Sequence, residues 1–520
     1  MHTLADHLGV WAARLPTAPA VEFLDESITY GELHRQSSVL AGALAELGVA
    51  RGDRVAIWLR KSIESIVALY GVLKAGAVYV PVDPSTPSGR ARTILSNCAV
   101  SGLITHHDQV DYLLADPQPA GRRFPVVSVG ADLPARQGVV RWDDALGGRP
   151  LPHEDAPRDP DALAYVLYTS GSQGIPKGVA LTHANGLAFA DWSVREFGLR
   201  PADRVAGHAP LHFDLSTLDV FATGRAGACL VLVPESQVGM GSVLNRFVVD
   251  RRITVWYSVP NALGRMVTAR NSALLTRSPL RVVLFAGETF PIPRVRSLRA
   301  LVPAADLYNL YGPTETNVCT YHRVRDTDVA PGRTAPLPIG RPCPYATAVV
   351  IDRDGAPVEL APGATGELCV AGASRMRGYW DDRTLTAAKT VSVAQHGGGS
   401  LMAHRTGDLV RLDDDLNLVF LGRADDMVKV RGHRVELGEV EAVLSTADNA
   451  REVAAVAVGD DEKHIEAYVV PCTQPCEVAE LRRHCVEGLP RYMVPERFHV
   501  VAELPRTPTG KIDRRALIAR

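Results

Sequence analysis

A chain of 520 residues divides, at about 150 per domain, into three or four compact units. Lys plus Arg is 56 against 58 Asp plus Glu, a net charge of −2, which argues against a nucleic-acid binder with its usual basic excess. A hydrophobic content of 46% excludes an intrinsically disordered chain, and no run approaches the roughly 18 apolar residues needed to span a bilayer.

Asp6 and His7 fall where a secretory leader would need an apolar stretch, so a cytoplasmic location is expected. The eight cysteines are scattered, unlike a disulfide scaffold. Cys472, Cys476, His484 and Cys485 cluster, but their spacing fits no familiar zinc site.

In the first half, helical and extended patterns alternate. Helical spacing covers 30–47, with Leu33, Val39, Leu40, Ala43 and Leu44 on one side, and again 63–75 and 183–198. Extended runs fall at 53–59, 77–80, 100–104, 125–128, 162–169, 228–233 and 281–285. That alternation predicts an α/β fold with parallel sheets covered on both faces. After about residue 345 the texture becomes antiparallel β. A hairpin is expected around Asp354-Gly355, followed by strands in GELCVAG and LNLVFLG. From about 424 a small α+β region is expected, with helices at 436–446 and 477–487 and strands at 452–458 and 464–470.

Four segments carry chemistry. The apolar run ALAYVLY feeds a small-residue loop, Tyr168 to Gly178, that ends in Lys177. Such a loop can aim N–H groups and hydroxyls at phosphate oxygens, with the lysine as a point charge. It is not a Walker loop: Pro176 replaces the second glycine and Gly178 the Ser/Thr. The second segment is Asn309 to Thr316, where Gly312-Pro313 turns the chain after a short strand. That turn presents Tyr311, Thr314 and Glu315 at the strand's C-terminal end, where α/β sheets bind ligands. The third is His404 to Leu409, followed by Gly422-Arg423-Ala424-Asp425. The fourth is Pro505 to Asp513, around Lys511. His106 to Asp111 imitates an HHxxxDG signature but has Tyr112 in place of the glycine, and is expected to be a polar loop.

Taken together and in order, these segments resemble the ANL superfamily of adenylate-forming enzymes, and within it the adenylation domains of nonribosomal peptide synthetases. The resemblance also takes in Ile28 to Leu33, Leu73 to Pro84, Phe213 to Ser216, Gly366 to Leu368, Gly422 to Gly432 and Leu489 to Pro495. It covers nearly the whole chain, with one departure: Gln173 stands where the family usually has Thr.

The resemblance implies a large N-terminal domain, residues 1–424, built of stacked α/β subdomains and a β-barrel-like subdomain. A small mobile α+β domain, residues 425–520, would follow, with Asp425 as the hinge. It implies ATP and Mg²⁺. Lys177 with Thr169, Ser170, Gly171, Ser172 and Gly174 would hold the β- and γ-phosphates. Glu315 would bind Mg²⁺, and Thr314, after Gly312, would meet the α-phosphate. Tyr311 would stack on adenine and Asn309 would face its amino group. Asp408, with Arg423 nearby, would take the ribose hydroxyls. Lys511 would bridge the substrate carboxylate and the α-phosphate.

Asp214 precedes an apolar, helically spaced run (Leu215, Leu218, Phe221), so on pattern alone it reads as an N-cap. In amino-acid-activating members of the family, the matching residue binds the substrate's α-ammonium. The resemblance therefore implies an α-amino acid substrate. Its pocket would be completed by Leu215, Leu218, Tyr257, Leu284, Ala286, Leu310, Val318 and Cys319. That set resembles L-proline-activating members, with other small apolar amino acids as the alternative. An acyl- or aryl-CoA ligase of the same fold is a second alternative, and a nucleotide-binding scaffold without turnover a third. Leu517 lies three residues from the end, so the acceptor, a phosphopantetheine thiol, is expected on a separate carrier protein.

Overall fold

The computed structural model describes residues 2–114, 124–130, 137–151, 159–171, 175–394, 399–424, 427–459, 463–473, 476–506 and 512–518. The chain divides into two compact units. The first comprises residues 1–83, 98–167 and 178–424; the second comprises 84–97, 168–177 and 425–520.

Two large sheets organise the first unit. One has nine strands, in the order Arg341–Pro342, Thr320–Arg323, Asp306–Tyr311, Val282–Ala286, Val255–Ser258, Arg204–Gly207, Cys229–Leu232, Pro19–Phe23 and Glu26–Thr29. Its middle is parallel and its outer pairs are antiparallel. The other has eight strands: Gly378–Tyr379, Lys177–Thr182, Leu163–Thr169, Val78–Pro81, Arg54–Trp58, Gly102–His106, Val126–Val129 and Val139–Arg141.

The strands of the nine-stranded sheet are apolar on both faces because both are buried. Val282, Leu284 and Ala286 join one core cluster, whereas Val283 and Phe285 join another. Tyr257 and Trp256 divide the same way, as the two-residue period of a strand requires. The cluster that holds Tyr257 also contains Val55, Ile57, Tyr79, Tyr165 and Val179 of the eight-stranded sheet.

Helices form where the spacing predicts them, and the structure shows how they are capped. Tyr30–Glu46 starts at Thr29, whose side chain accepts the Glu32 N–H at 3.2 Å. Ile63–Lys74 opens on a capping box of Ser62 and Ser65. Among the described residues no helix is long and apolar enough to cross a membrane.

Three expectations are corrected. Ala346–Ile351 pairs with Thr365–Gly372, so the Asp354-Gly355 turn closes only a single bridge between Ile351 and Pro357. His106 ends a strand and His107 opens the helix His107–Leu114, so this segment is not a loop. Asp214 is not an N-cap: the helix begins at Ser216 and runs into a π-helical stretch, Leu218–Ala222, so Leu215 takes the place just before the first helical residue.

The remainder of the first unit is a five-stranded antiparallel sheet. It is formed by Ala346–Ile351, Thr365–Gly372, Ser400–Leu412, Thr390–Ala394 and Leu418–Arg423. In the second unit, Met427–Val430 pairs with His433–Glu436. A three-stranded sheet (Ala450–Val458, His464–Pro471, Arg497–Val500) is accompanied by the helices Leu437–Ser445 and Val478–Gly488.

One ion pair ties three adjacent strands of the large sheet at their N-terminal ends. Asp203, only 1% exposed, accepts from Arg281 Nε at 2.8 Å, Thr254 Oγ1 at 2.9 Å and the Arg200 N–H at 2.9 Å. Burial alone would raise its pKa, but Arg281 and these donors outweigh burial and hold it below the ordinary carboxylate value. A carboxyl depressed in the folded state stabilises the fold above the unfolded value of about 3.9, and that stability is lost as pH falls through the folded value. Asp203→Ala is expected to cost about 2–4 kcal/mol at pH 7, measured by urea unfolding. The gap from wild type should narrow as the pH drops below about 4.

Candidate active site

The segment Gly312 to Asn317 leaves the C-terminal end of the strand Asp306–Tyr311 and returns at once. A Cβ on Gly312 would sit 1.7 Å from the Asn317 carbonyl oxygen, so only glycine permits this approach. Asn317 itself takes a left-handed backbone, with φ of 52°. The turn points two adjacent side chains at different partners. Thr314 Oγ1 donates to Asp214 Oδ2 at 3.1 Å. Glu315 is wholly buried, and its Oε1 accepts the Tyr379 hydroxyl at 2.6 Å.

Asp214 is half-buried and flanked in sequence by buried Leu215. Leu215, Leu218, Tyr257, Leu284, Ala286, Leu310 and Val318 all fall in one core cluster. Strand register explains their neighbourhood: Tyr257 lies beside Leu284, and Ala286 beside Leu310. Cys319 is the exception among the expected pocket residues. It packs in a different cluster, with Tyr311, Ile339 and Val350, just before the strand Thr320–Arg323 begins. The Tyr257 hydroxyl is buried and meets no hydrogen-bond partner among the described residues. Its pKa lies far above the ordinary phenol value, by burial first and then by the charge of Asp214, so it stays protonated.

A second constellation joins Asn309, Tyr311, Asp408 and Arg423. Asn309 Nδ2 donates to the Pro338 carbonyl at 2.8 Å, leaving its own carbonyl as an acceptor. The Tyr311 hydroxyl donates to Asp408 Oδ2, and Arg423 Nη1 donates to Asp408 Oδ1 at 2.7 Å. Strand pairing delivers Arg423, which lies opposite Asp408 in the antiparallel sheet. Burial, reinforced by the Asp408 charge, pushes the Tyr311 phenol well above its usual value.

The small-residue loop belongs to the second unit, and there its donors already hold anions. The Gly171 N–H donates to Glu439 Oε2 at 3.1 Å, and Lys177 Nζ lies 3.2 Å from Glu436 Oε1. Arg90 also pairs with Glu439, and burial pushes that carboxyl upward against the pull of Arg90. Ser170 Oγ donates to the Arg434 carbonyl at 2.9 Å and accepts the Glu436 N–H at 3.2 Å. A Cβ on Gly171 would lie 2.0 Å from the Ile175 carbonyl oxygen, so this loop too is built around a glycine. Thr169 closes the strand Leu163–Thr169 that enters the loop. Ser172, Gln173, Gly174, Asp425 and Lys511 lie outside the described residues.

The family is decided by profile and by relatives. The "AMP-binding enzyme" profile matches residues 8–380, and that of the "AMP-binding enzyme C-terminal domain" matches residues 439–511. The chain belongs to the AMP-binding enzyme family. A Streptomyces coelicolor L-proline--[L-prolyl-carrier protein] ligase is 41% identical to this AMP-binding enzyme, over 95% of this chain and 92% of that one. A Pseudomonas fluorescens protein of the same name is 39% identical, over 97% and 96%. Among solved structures, the Vibrio cholerae adenylation domain AlmE, in complex with glycyl-adenosine-5'-phosphate, superposes with a TM-score of 0.84 at 25% identity. It covers 100% of this chain and 97% of that one. An artificially fused adenylation-PCP di-domain from Klebsiella oxytoca gives 0.80 at 25% identity, with 96% and 93% covered.

Sequence reasoning missed Tyr379, Glu436, Glu439 and Arg90. A tyrosine in Arg377-Gly-Tyr-Trp380 and two glutamates in Val435-Glu-Leu-Gly-Glu439 look like ordinary strand and helix residues until their distant partners are placed.

Proposed function

We propose that this enzyme joins an α-amino acid, L-proline foremost, to AMP at the expense of ATP, and then passes the aminoacyl group to the phosphopantetheine thiol of a carrier protein. One observation carries the reading: the Asp214 carboxylate, at the edge of an apolar cluster, is hydrogen-bonded to the turn that presents Glu315. The ammonium acceptor is thus tied by Thr314 to the short turn that carries the metal-binding carboxylate. The names of the two ligase relatives point to the same substrate and acceptor.

In the first half-reaction a substrate carboxylate oxygen attacks the α-phosphorus of ATP. The bond from the α-phosphorus to the bridging oxygen breaks, and pyrophosphate leaves. Both partners are anions, so catalysis is mainly positioning and charge neutralisation. In the second, the thiol sulfur attacks the acyl carbon, the acyl–phosphate bond breaks and AMP departs.

The donor chemistry fits a triphosphate. Gly171 N–H and Lys177 already bind carboxylate oxygens, which are surrogates for phosphate oxygens. Glu315 offers a buried carboxylate of the kind that holds Mg²⁺, and bound Mg²⁺ would screen the phosphate charge. Asn309 keeps a carbonyl for an adenine amino group, Tyr311 an aromatic face for the ring, and Asp408 lone pairs for ribose hydroxyls.

Thr314 has one hydroxyl proton. When the substrate ammonium pairs with Asp214, that proton becomes available to the α-phosphate. By their place in the motifs, Lys511 bridges the two reacting anions and Asp425 is the hinge of a small domain, residues 425–520, that moves against residues 1–424.

The apolar pocket suits a small ring and excludes a second charge, which would be buried unpaired. Pyrophosphate exchange across the twenty amino acids is expected to rank L-proline first. Asp214→Ala should lower proline-dependent exchange roughly 100-fold, the loss of about 3 kcal/mol of charge pairing, with ATP binding kept. Exchange driven by aryl acids and by no amino acid would contradict the proposal. Because the triphosphate must displace Glu436 from Lys177, Glu436→Gln is expected to tighten ATP binding roughly fivefold, about 1 kcal/mol, by calorimetry.

A further inference from the structure

Tyr379 lies 64 residues beyond Glu315 in sequence, yet its hydroxyl meets the glutamate's Oε1 at 2.6 Å. Both residues are buried, Tyr379 5% exposed and Glu315 0% exposed. The tyrosine belongs to the two-residue strand Gly378–Tyr379, which pairs antiparallel with Lys177–Thr182. Tyr379 faces Val179 there, and the Trp380 N–H bonds the Gly178 carbonyl at 2.7 Å. Just upstream, the Met376 N–H donates to the Glu315 backbone carbonyl at 2.7 Å. One short segment, 376–380, therefore grips the glutamate at backbone and side chain, and grips the strand that leaves the small-residue loop.

We propose that Tyr379 is a positioning residue for Glu315, fixing the carboxylate's rotamer so that one oxygen is turned to the divalent cation of the nucleotide. The inference rests on the reading of Glu315 as the metal-binding carboxylate. A buried carboxylate has two oxygens that differ only in what surrounds them. A neutral phenol on Oε1 stabilises the charge through a dipole without competing as a cation would, and it distinguishes that oxygen from Oε2. A phenylalanine in its place keeps the ring packing but removes the donor, and with it this restraint on the carboxylate. Outer partners that orient a ligand in this way are worth roughly 10- to 100-fold in metal affinity.

The test is equilibrium binding of Mn²⁺ in the presence of ATP and the absence of amino acid, followed by electron paramagnetic resonance. It compares wild type, Tyr379→Phe, Glu315→Gln and the double variant. Tyr379→Phe is expected to weaken Mn²⁺·ATP binding roughly tenfold. In the Glu315→Gln background it should have no further effect, because the tyrosine acts through that carboxylate. Weakening by Glu315→Gln with wild-type binding by Tyr379→Phe overturns this inference and leaves the role of Glu315 standing. Additive effects of the two changes also overturn it. Unchanged binding in Glu315→Gln overturns the metal reading of Glu315, and this inference with it. Should Tyr379→Phe fail to fold, Tyr379→Leu, which also lacks a donor, is measured in the same cycle, with the same outcomes deciding.

Discussion

The turn from Gly312 to Asn317 is the constraint on which the first unit's chemistry depends. Its carbonyl approach is closed to any side chain at position 312, and Asn317 accepts a left-handed backbone to complete it. Because the chain reverses so tightly, neighbouring residues diverge: Thr314 goes to Asp214 and Glu315 to Tyr379. A wider turn would separate the two carboxylates. The parallel strands beneath it, buried on both faces, set its position, and the Asp203–Arg281 pair anchors the opposite ends of those strands.

The same economy governs anions elsewhere in the molecule. Asp408 is held by a phenol and a guanidinium, and Glu439 by an arginine and a backbone N–H. Lys177 sits against Glu436. In the second unit the carboxylates rest on the very donors that the loop would offer to phosphate. On the proposed function, nucleotide binding is an exchange of one anion for another. The affinity for triphosphate is then a difference between two pairings rather than the strength of one.

Much of this was legible in the sequence. Extended runs alternating with helical ones marked the parallel strands. Helical spacing marked Tyr30–Glu46 and Ile63–Lys74. The Gly312-Pro313 dipeptide marked the turn, and the motif order marked the family. What stayed hidden was decided at long range. Asp214 carries a local N-cap signal, but tertiary contact with Thr314 outweighs it. The Asp354-Gly355 hairpin signal is real in its turn, yet Ala346–Ile351 finds a longer partner in Thr365–Gly372. Cys319 looked like a pocket neighbour of Val318, but the two side chains pack in different cores. Tyr379 and Glu436 carry no local signal, because each matters only through a residue 64 or 259 positions away.

The central claim is that Asp214, steadied by this turn, recognises a substrate ammonium. Calorimetry with two non-hydrolysable adenylates, prolyl-sulfamoyl-adenosine and its cyclopentanecarbonyl counterpart lacking the nitrogen, tests it most directly. The wild-type protein is expected to bind the prolyl compound roughly 100-fold more tightly, and Asp214→Ala to abolish the difference. Equal affinities in the wild-type protein, or a preference that survives in Asp214→Ala, would contradict it.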